Sequence, residues 1–193
     1  MCLLLLMAIL GGPDSTIVAD PTAAFARRAA STTRPEKCVL VRLTADFTGD
    51  GAPDLALSAT CDFGDCPGWG NAGGRWEIWA REGDEEVAYR FVDRVFFHPL
   101  AVKVTPSDSG VTLTTYHRMG AGEGYLVRDL LAGTSLRRLE ESYVALGPDS
   151  SGAWFHEVFP VSGRLPCQAC RLSDFLAGRP EWVPGYSVPS VSD

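Results

Sequence analysis

Residues 38–60 read CVLVRLTADFTGDGAPDLALSAT, and this stretch decides the predicted fold. Its first and last segments are rich in aliphatic and β-branched residues, which are typical of β-strands. Between them, residues 46–54 carry aspartates at the first, fifth and ninth positions around two glycines. Because this loop joins two predicted strands and not two helices, the context argues against an EF-hand. We call residues 46–54 the aspartate loop.

The spacing within the aspartate loop predicts a calcium site. Calcium takes about six to eight oxygen ligands at about 2.3–2.6 Å, and alternate residues of a curled loop supply them. A glycine at position 51 suits the sharp chain reversal that such a loop needs. The candidate ligands are four side chains and one backbone carbonyl, namely Asp46, Thr48, Asp50, the carbonyl of Ala52, and Asp54. The alternative interpretation is an Asp- and Gly-rich turn that holds no ion.

The whole stretch 38–60 resembles a single FG-GAP or VCBS-type repeat, through the strand, the Asp-x-x-Gly-Asp-Gly-x-x-Asp-Leu loop and the strand that follows. The resemblance implies a calcium-binding loop of the kind found in blades of secreted or cell-surface β-propellers. It assigns the ligands to Asp46, Asp50, Asp54 and the carbonyl of Ala52. Thr48 departs from the family pattern, which usually has Asn or Asp there. One copy is present, and 193 residues are too few for a complete propeller.

The start of the chain predicts export. Residues 2–10 form an uninterrupted apolar run, followed by two glycines and a proline. This pattern is typical of a secretory signal peptide, and the run is shorter than the roughly 20 apolar residues that span a bilayer. We therefore expect a secreted or periplasmic protein with no transmembrane segment in the mature chain. Cleavage is expected after Ala19 or after Ala26.

Five cysteines remain once the predicted signal is removed, and an oxidising compartment favours their pairing. Cys61 and Cys66 lie close enough in sequence for one local disulfide, and Cys167 and Cys170 for another, which leaves Cys38 over. Two alternatives use the same residues. One is a zinc site built from the four paired thiols. The other is a redox-active Cys-x-x-Cys at positions 167–170.

Beyond the aspartate loop, short alternating runs separated by Gly-, Pro- and Asp-rich turns predict an all-β domain. Sequential strands with short connections favour antiparallel meander sheets, here in one compact domain with propeller-blade-like pieces and at most short helices. Strands are predicted near residues 75–80, 87–91, 101–105, 111–116, 125–130 and 135–139. Short helices are allowed at 136–146 and at 174–177, the second with Ser173 as its N-cap. The predicted organisation is a signal peptide at 1–19, a linker at 20–36, the β domain at 37–180 and a disordered tail at 181–193.

Composition and motifs narrow the range of possible functions. The net charge of −7 argues against nucleic-acid binding, and the three histidines stand in no catalytic motif, so no catalytic residue is predicted. We expect a secreted, non-enzymatic β module with a structural calcium ion that acts as an interaction or surface-associated domain for an unknown protein or glycan. The alternative is a secreted hydrolase or carbohydrate-binding module that uses the loop around Trp69, because an exposed aromatic face stacks on sugars and packs on partners.

Overall fold

The structure is a computed structural model that describes residues 17–61, 73–83, 87–120, 122–145 and 151–185, with Cys61 and Ser151 described in their backbone alone. Within these ranges the chain forms eleven strands and three α-helices. In chain order they are β1 (Ile17–Val18), α1 (Pro21–Thr32), β2 (Cys38–Ala45), β3 (Asp54–Cys61), β4 (Gly74–Glu82), β5 (Ala88–Phe97), β6 (Val102–Ser107), β7 (Gly110–Gly120), β8 (Glu123–Ala132), β9 (Ser135–Ala145), α2 (Ser151–Val158), β10 (Cys167–Arg171), α3 (Leu172–Leu176) and β11 (Val183–Pro184).

Two antiparallel sheets organise these strands. The larger sheet has the order β1-β5-β4-β3-β2-β10-β11, and the smaller one has the order β6-β7-β8-β9. Strands β2 to β5 and strands β6 to β9 are successive hairpins, whereas β10 and β11 return late in the chain to extend the larger sheet beyond β2. The predicted all-β fold of antiparallel meander sheets with short helices is therefore confirmed.

The main core lies between the two sheets. Val39, Val41 and Leu43 alternate along β2 and join Trp76 of β4 and Leu113 of β7 in one buried cluster. Because successive strand residues point to opposite faces, the residues between them on β2 face the other way. The larger sheet is therefore apolar on both faces, and each face is covered by another layer.

The outer layers are helical. Helices α1 and α3 contribute Ala26 and Leu172 to a second buried cluster on the outer face of the larger sheet. Helix α2 covers the outer face of the smaller sheet, where Trp154 packs edge-on against Tyr116 at a ring separation of 5.6 Å. None of the described helices is long and apolar enough to cross a membrane.

Four boundaries differ from the sequence prediction. Residues 17–18, placed in the signal peptide, form β1 against β5. Residues 20–36 are not a linker, because Asp20 caps α1 by accepting a hydrogen bond from the Ala23 amide at 2.9 Å and the helix then buries Ala26. Residues 136–145 belong to β9 and not to a helix; their periodicity was ambiguous because this edge strand is exposed on both faces. Residues 183–184, placed in the disordered tail, form β11 against β10. Residues 186–193 of that tail lie outside the described part of the chain.

The predicted helix at 174–177 corresponds to α3, which begins two residues earlier. Its N-cap is Arg171 and not Ser173. Gly178 follows the helix with a φ of 71°, a left-handed conformation that glycine adopts readily at helix ends.

Candidate functional site: the aspartate loop

The aspartate loop closes the hairpin between β2 and β3, whose last paired residues are Ala45 and Asp54. Gly51 has a φ of 86°, as its predicted role in the chain reversal requires. Gly49 also has a positive φ, and a Cβ added to it would lie 3.0 Å from Cγ2 of Val111 on β7. The loop is therefore held close against the start of β7 in the smaller sheet.

Asp54 is the buried centre of the loop. Its side chain is inaccessible to solvent, and its Oδ2 accepts hydrogen bonds from the Phe47 amide at 2.8 Å, the Thr48 amide at 2.8 Å and the Thr48 hydroxyl at 3.0 Å. Its Oδ1 accepts from the Arg81 amide at 2.8 Å. Burial raises the pKa of the Asp54 carboxyl, while the hydrogen bonds from Arg81 and Thr48 oppose that shift. Asp54 thus ties the loop to β4.

Asp46 and Asp50 form the more accessible part of the loop. Asp46 accepts hydrogen bonds from the Gly49 amide at 2.5 Å and the Gly51 amide at 2.9 Å, one on each oxygen. Asp50 accepts one from the Ala52 amide at 2.7 Å. An ionised carboxylate offers about four acceptor sites, so both residues keep capacity for a further partner.

The loop fits a calcium ion in the chemistry of its oxygen donors, but its carboxylates do not converge. Within the described ranges, no three His, Cys, Asp or Glu side chains are placed to share one metal ion. Asp46, Asp50 and the carbonyl of Ala52 are the donor types that calcium prefers. Asp54, predicted to close the ligand shell, instead faces inward and already serves four donors. Calcium binding by the loop stays a prediction.

The predicted pairing of Cys167 with Cys170 is wrong, because both are free, buried thiols. They lie on β10, where residues three apart are separated by about 10 Å and point to opposite faces, whereas a disulfide needs Cα atoms about 4.4–6.8 Å apart. Cys167 belongs to the core between the sheets and Cys170 to the cluster beneath the helices. The two thiols therefore cannot share one zinc ion.

The electrostatics of these two thiols also disfavour redox chemistry. Burial raises the pKa of Cys167 to about 12 and that of Cys170 to about 11. Since the thiolate is the reactive and metal-binding form, both residues are largely protonated near neutral pH. They pack as small apolar side chains.

Cys38 is not left over: it is disulfide-bonded. Its Cα partner in the ladder between β2 and β3 is Cys61, of which the structure describes only the backbone. Cys66 and Trp69 lie outside the described residues, so their predicted roles in a disulfide and in ligand contact stay predictions.

Sequence reasoning missed a network of ion pairs around the buried carboxylate of Glu77, in which the arginine partners are half exposed. Glu77 of β4 is 7% exposed and pairs with Arg28 of α1 and with Arg94 of β5, whose Nη2 lies 3.1 Å from its Oε1. The Arg28 guanidinium also lies 5.8 Å from the ring centroid of Trp79. The signal in the sequence was a glutamate between the apolar residues of a predicted strand. Such a buried carboxylate needs cationic partners, and here the ion pair with Arg28 docks the helix on the sheet.

A second cluster missed by sequence reasoning surrounds His117 on β7. Its Nε2 lies 3.3 Å from the Thr115 hydroxyl, and its ring meets Phe96 of β5 edge-on. Burial lowers the pKa of His117; a hydrogen bond with the Phe96 backbone partly offsets this shift. Nearby, Arg138 donates a hydrogen bond of 2.6 Å to the buried Asp129. Because Thr115 and Asp129 are buried, the cluster is a structural element between the sheets.

Comparison with known proteins adds no relative: no family model, no curated protein and no solved structure matches this chain.

Proposed function

We propose that this protein is an exported, non-enzymatic β module whose aspartate loop binds one calcium ion as a structural ion, and that it acts as an interaction or surface-associated domain. The observation that carries the proposal is the folding of the loop around its own carboxylates. Asp46 and Asp50 accept the loop amides at 2.5–2.9 Å and keep unused acceptor sites at an accessible position. The resemblance to FG-GAP and VCBS-type repeats assigns a cation to the same residues.

In this proposal the residues of the aspartate loop have two roles, as ligands of the ion and as an anchor of the loop. Asp46, Asp50 and the carbonyl of Ala52 supply oxygens to the cation, Thr48 contributes its hydroxyl, and Asp54 holds the loop against β4. Bound calcium supplies positive charge that offsets repulsion among the loop carboxylates. The expected effect is greater stability of the β2–β3 hairpin, with no chemistry at the ion.

The test is a thermal melt of the protein in calcium and in excess chelator. At a free calcium concentration about 100 times the Kd, the ion adds about 2.7 kcal/mol to the free energy of unfolding. Asp50→Asn should remove most of this calcium-dependent gain. Asp108→Asn, which changes an exposed aspartate in the β6–β7 turn, is the matched control and should keep it. A wild-type melt that is the same in calcium and chelator contradicts the proposal.

Export favours disulfides among the cysteines, and the proposal includes one between Cys38 and Cys61, which lie opposite each other on β2 and β3. This pairing replaces the predicted disulfide between Cys61 and Cys66. Directly opposite residues of antiparallel strands have Cα atoms about 4.5–5.5 Å apart, which matches the range that disulfides need. Alkylation under denaturing conditions, read by peptide mass spectrometry, should label these two cysteines only after reduction. Cys167 and Cys170 should be labelled without reduction. Labelling of Cys38 before reduction contradicts this pairing.

A further inference from the structure

We propose that the free edge of the smaller sheet, strand β9, pairs antiparallel with β9 of a second copy of this chain. Strand β9 ends the order β6-β7-β8-β9, so one of its edges pairs with β8 and the other pairs with no described strand. It is 11 residues long and exposed along most of its length, including Leu139 at 45% and Tyr143 at 56%. An unpaired edge of this length presents backbone donors and acceptors to another strand.

The order of charges along β9 indicates that its partner strand is β9 of a second copy. The central residues are Arg137, Arg138, Leu139, Glu140 and Glu141, with both cations before the leucine and both anions after it. Antiparallel pairing with a second copy reverses that order. A two-fold axis near Leu139 therefore brings the arginines of each copy to the glutamates of the other, whereas in-register parallel pairing brings like charges together.

Each face of β9 carries one half of this pattern. The register between β8 and β9 shifts at Leu139, which places Arg138 and Glu141 on one face and Arg137 and Glu140 on the other. In an antiparallel pair, directly opposite side chains have Cβ atoms about 4.5–5.5 Å apart, and diagonal ones are about 7–8 Å apart. A two-fold axis that sets Arg137 directly opposite Glu140 of the other copy places Arg138 diagonal to Glu141 of that copy. It also sets the two Arg138 side chains opposite each other, but each is already paired with Asp129 and Glu141 of its own chain. Arginine and glutamate side chains span both distances, so each face gains two symmetric cross-copy ion pairs.

Charged residues on an edge strand commonly prevent association. The ion pairs that these residues already make within one chain must therefore be compared with the new pairs between the two copies. Arg138 already contacts Asp129 and Glu141, and Glu140 lies 3.3 Å from Arg128. Arg137, in contrast, makes no ion pair with any described residue of its own chain. The edge therefore repels strands that carry charges of one sign but is complementary to a second copy of itself. This difference gives specificity for the same strand of another copy.

Charge-swap mixing tests the proposal. Sedimentation should give the purified wild-type protein a mass twice that of one chain. Arg137→Glu alone and Glu140→Arg alone each place like charges across the two-fold axis and should raise the dimer Kd about tenfold. Mixing the two variants should restore association, because each variant's altered charge then faces its opposite. Lys103→Glu on the other edge strand, β6, is the matched control and should leave the dimer unchanged.

Hydrogen exchange provides a readout that does not depend on any variant. Amides of residues 136–144 in the wild type should be more protected at high than at low protein concentration, and 1 M salt should weaken the dimer. Far-UV circular dichroism checks that each variant folds. A wild-type monomer throughout the concentration range, a dimer insensitive to Arg137→Glu, or a variant mixture that stays monomeric overturns the proposal.

Discussion

Replacing Asp54 with asparagine tests whether this side chain, without any ion, holds the hairpin to the sheet. The amide keeps the shape of the carboxylate and removes its charge. Its oxygen can face the three donors from Phe47 and Thr48, which leaves its NH2 group against the Arg81 amide. The Arg81 N–H then lacks its acceptor, and the new NH2 group that faces it gains none; leaving a buried donor unsatisfied costs about 1–3 kcal/mol.

The remaining three hydrogen bonds also become weaker. Bonds to a charged acceptor contribute about 1.5–3 kcal/mol each and neutral ones about 0.5–1.5, so the change loses about 1 kcal/mol per bond. Removing the buried charge of Asp54 returns part of this loss, since burial disfavours the ionised form. We expect Asp54→Asn to lower the free energy of unfolding by about 2–4 kcal/mol. At about 2–4 °C per kcal/mol for a chain of this size, the Tm should fall by about 5–15 °C.

Urea unfolding at pH 7 in excess chelator measures this difference without a contribution from calcium. The matched control is Asp50→Asn, which alters an exposed carboxylate with one loop hydrogen bond of 2.7 Å. It should cost about 1 kcal/mol or less. If Asp54→Asn costs less than about 1 kcal/mol, or no more than Asp50→Asn, the buried carboxylate does not anchor the loop.

Three further measurements test other parts of the structure. His117 has a lowered pKa in the fold, so stability present above about pH 6.5 is lost as the pH falls toward that lowered pKa; His117→Gln should flatten this slope in urea unfolding between about pH 7 and pH 5, and an unchanged slope contradicts the assignment. N-terminal sequencing of the exported protein should begin at Asp20, because cleavage after Ala19 removes only the two-residue edge strand β1, whereas cleavage after the buried Ala26 would cut through packed α1; a start at residue 27 would show that this helix is dispensable. Cys167 and Cys170 should react with a thiol reagent in the native protein far more slowly than in urea, since both are buried with raised pKa values; equal rates would contradict their burial.

The strands were predictable where apolar and polar residues alternate in the sequence. Residues 75–78 and 111–114 alternate in this way, and both lie within observed strands, β4 and β7, although each strand is largely buried on both faces. Strand β9 was predicted to end near residue 139 because exposure on both faces removes the alternation that marks a strand. Helix α1 was missed because its short alanine-rich sequence lies next to the predicted signal peptide. Its burial depends on contacts with α3 and the larger sheet that are distant in sequence.

Only part of the candidate site could be predicted. The positive φ of Gly51 follows from the tight reversal that nine residues must make between paired strands. The ion pairs of Glu77 could not be predicted, because their partners lie 49 residues before and 17 residues after it in the chain. A local pattern specifies backbone conformation far better than it specifies such distant partners.

The inward direction of Asp54, by contrast, follows from the period of the strand that it begins. Ala56, two residues along β3, belongs to the core between the sheets, and side chains two apart on a strand share a face. Asp54 therefore points toward the core, where a carboxylate needs several donors and finds four. Since those donors come from the protein, the hairpin has an anchor before any ion binds. Calcium should then depend on Asp46 and Asp50, so that Asp50→Asn removes the calcium-dependent gain while Asp54→Asn lowers stability with or without calcium.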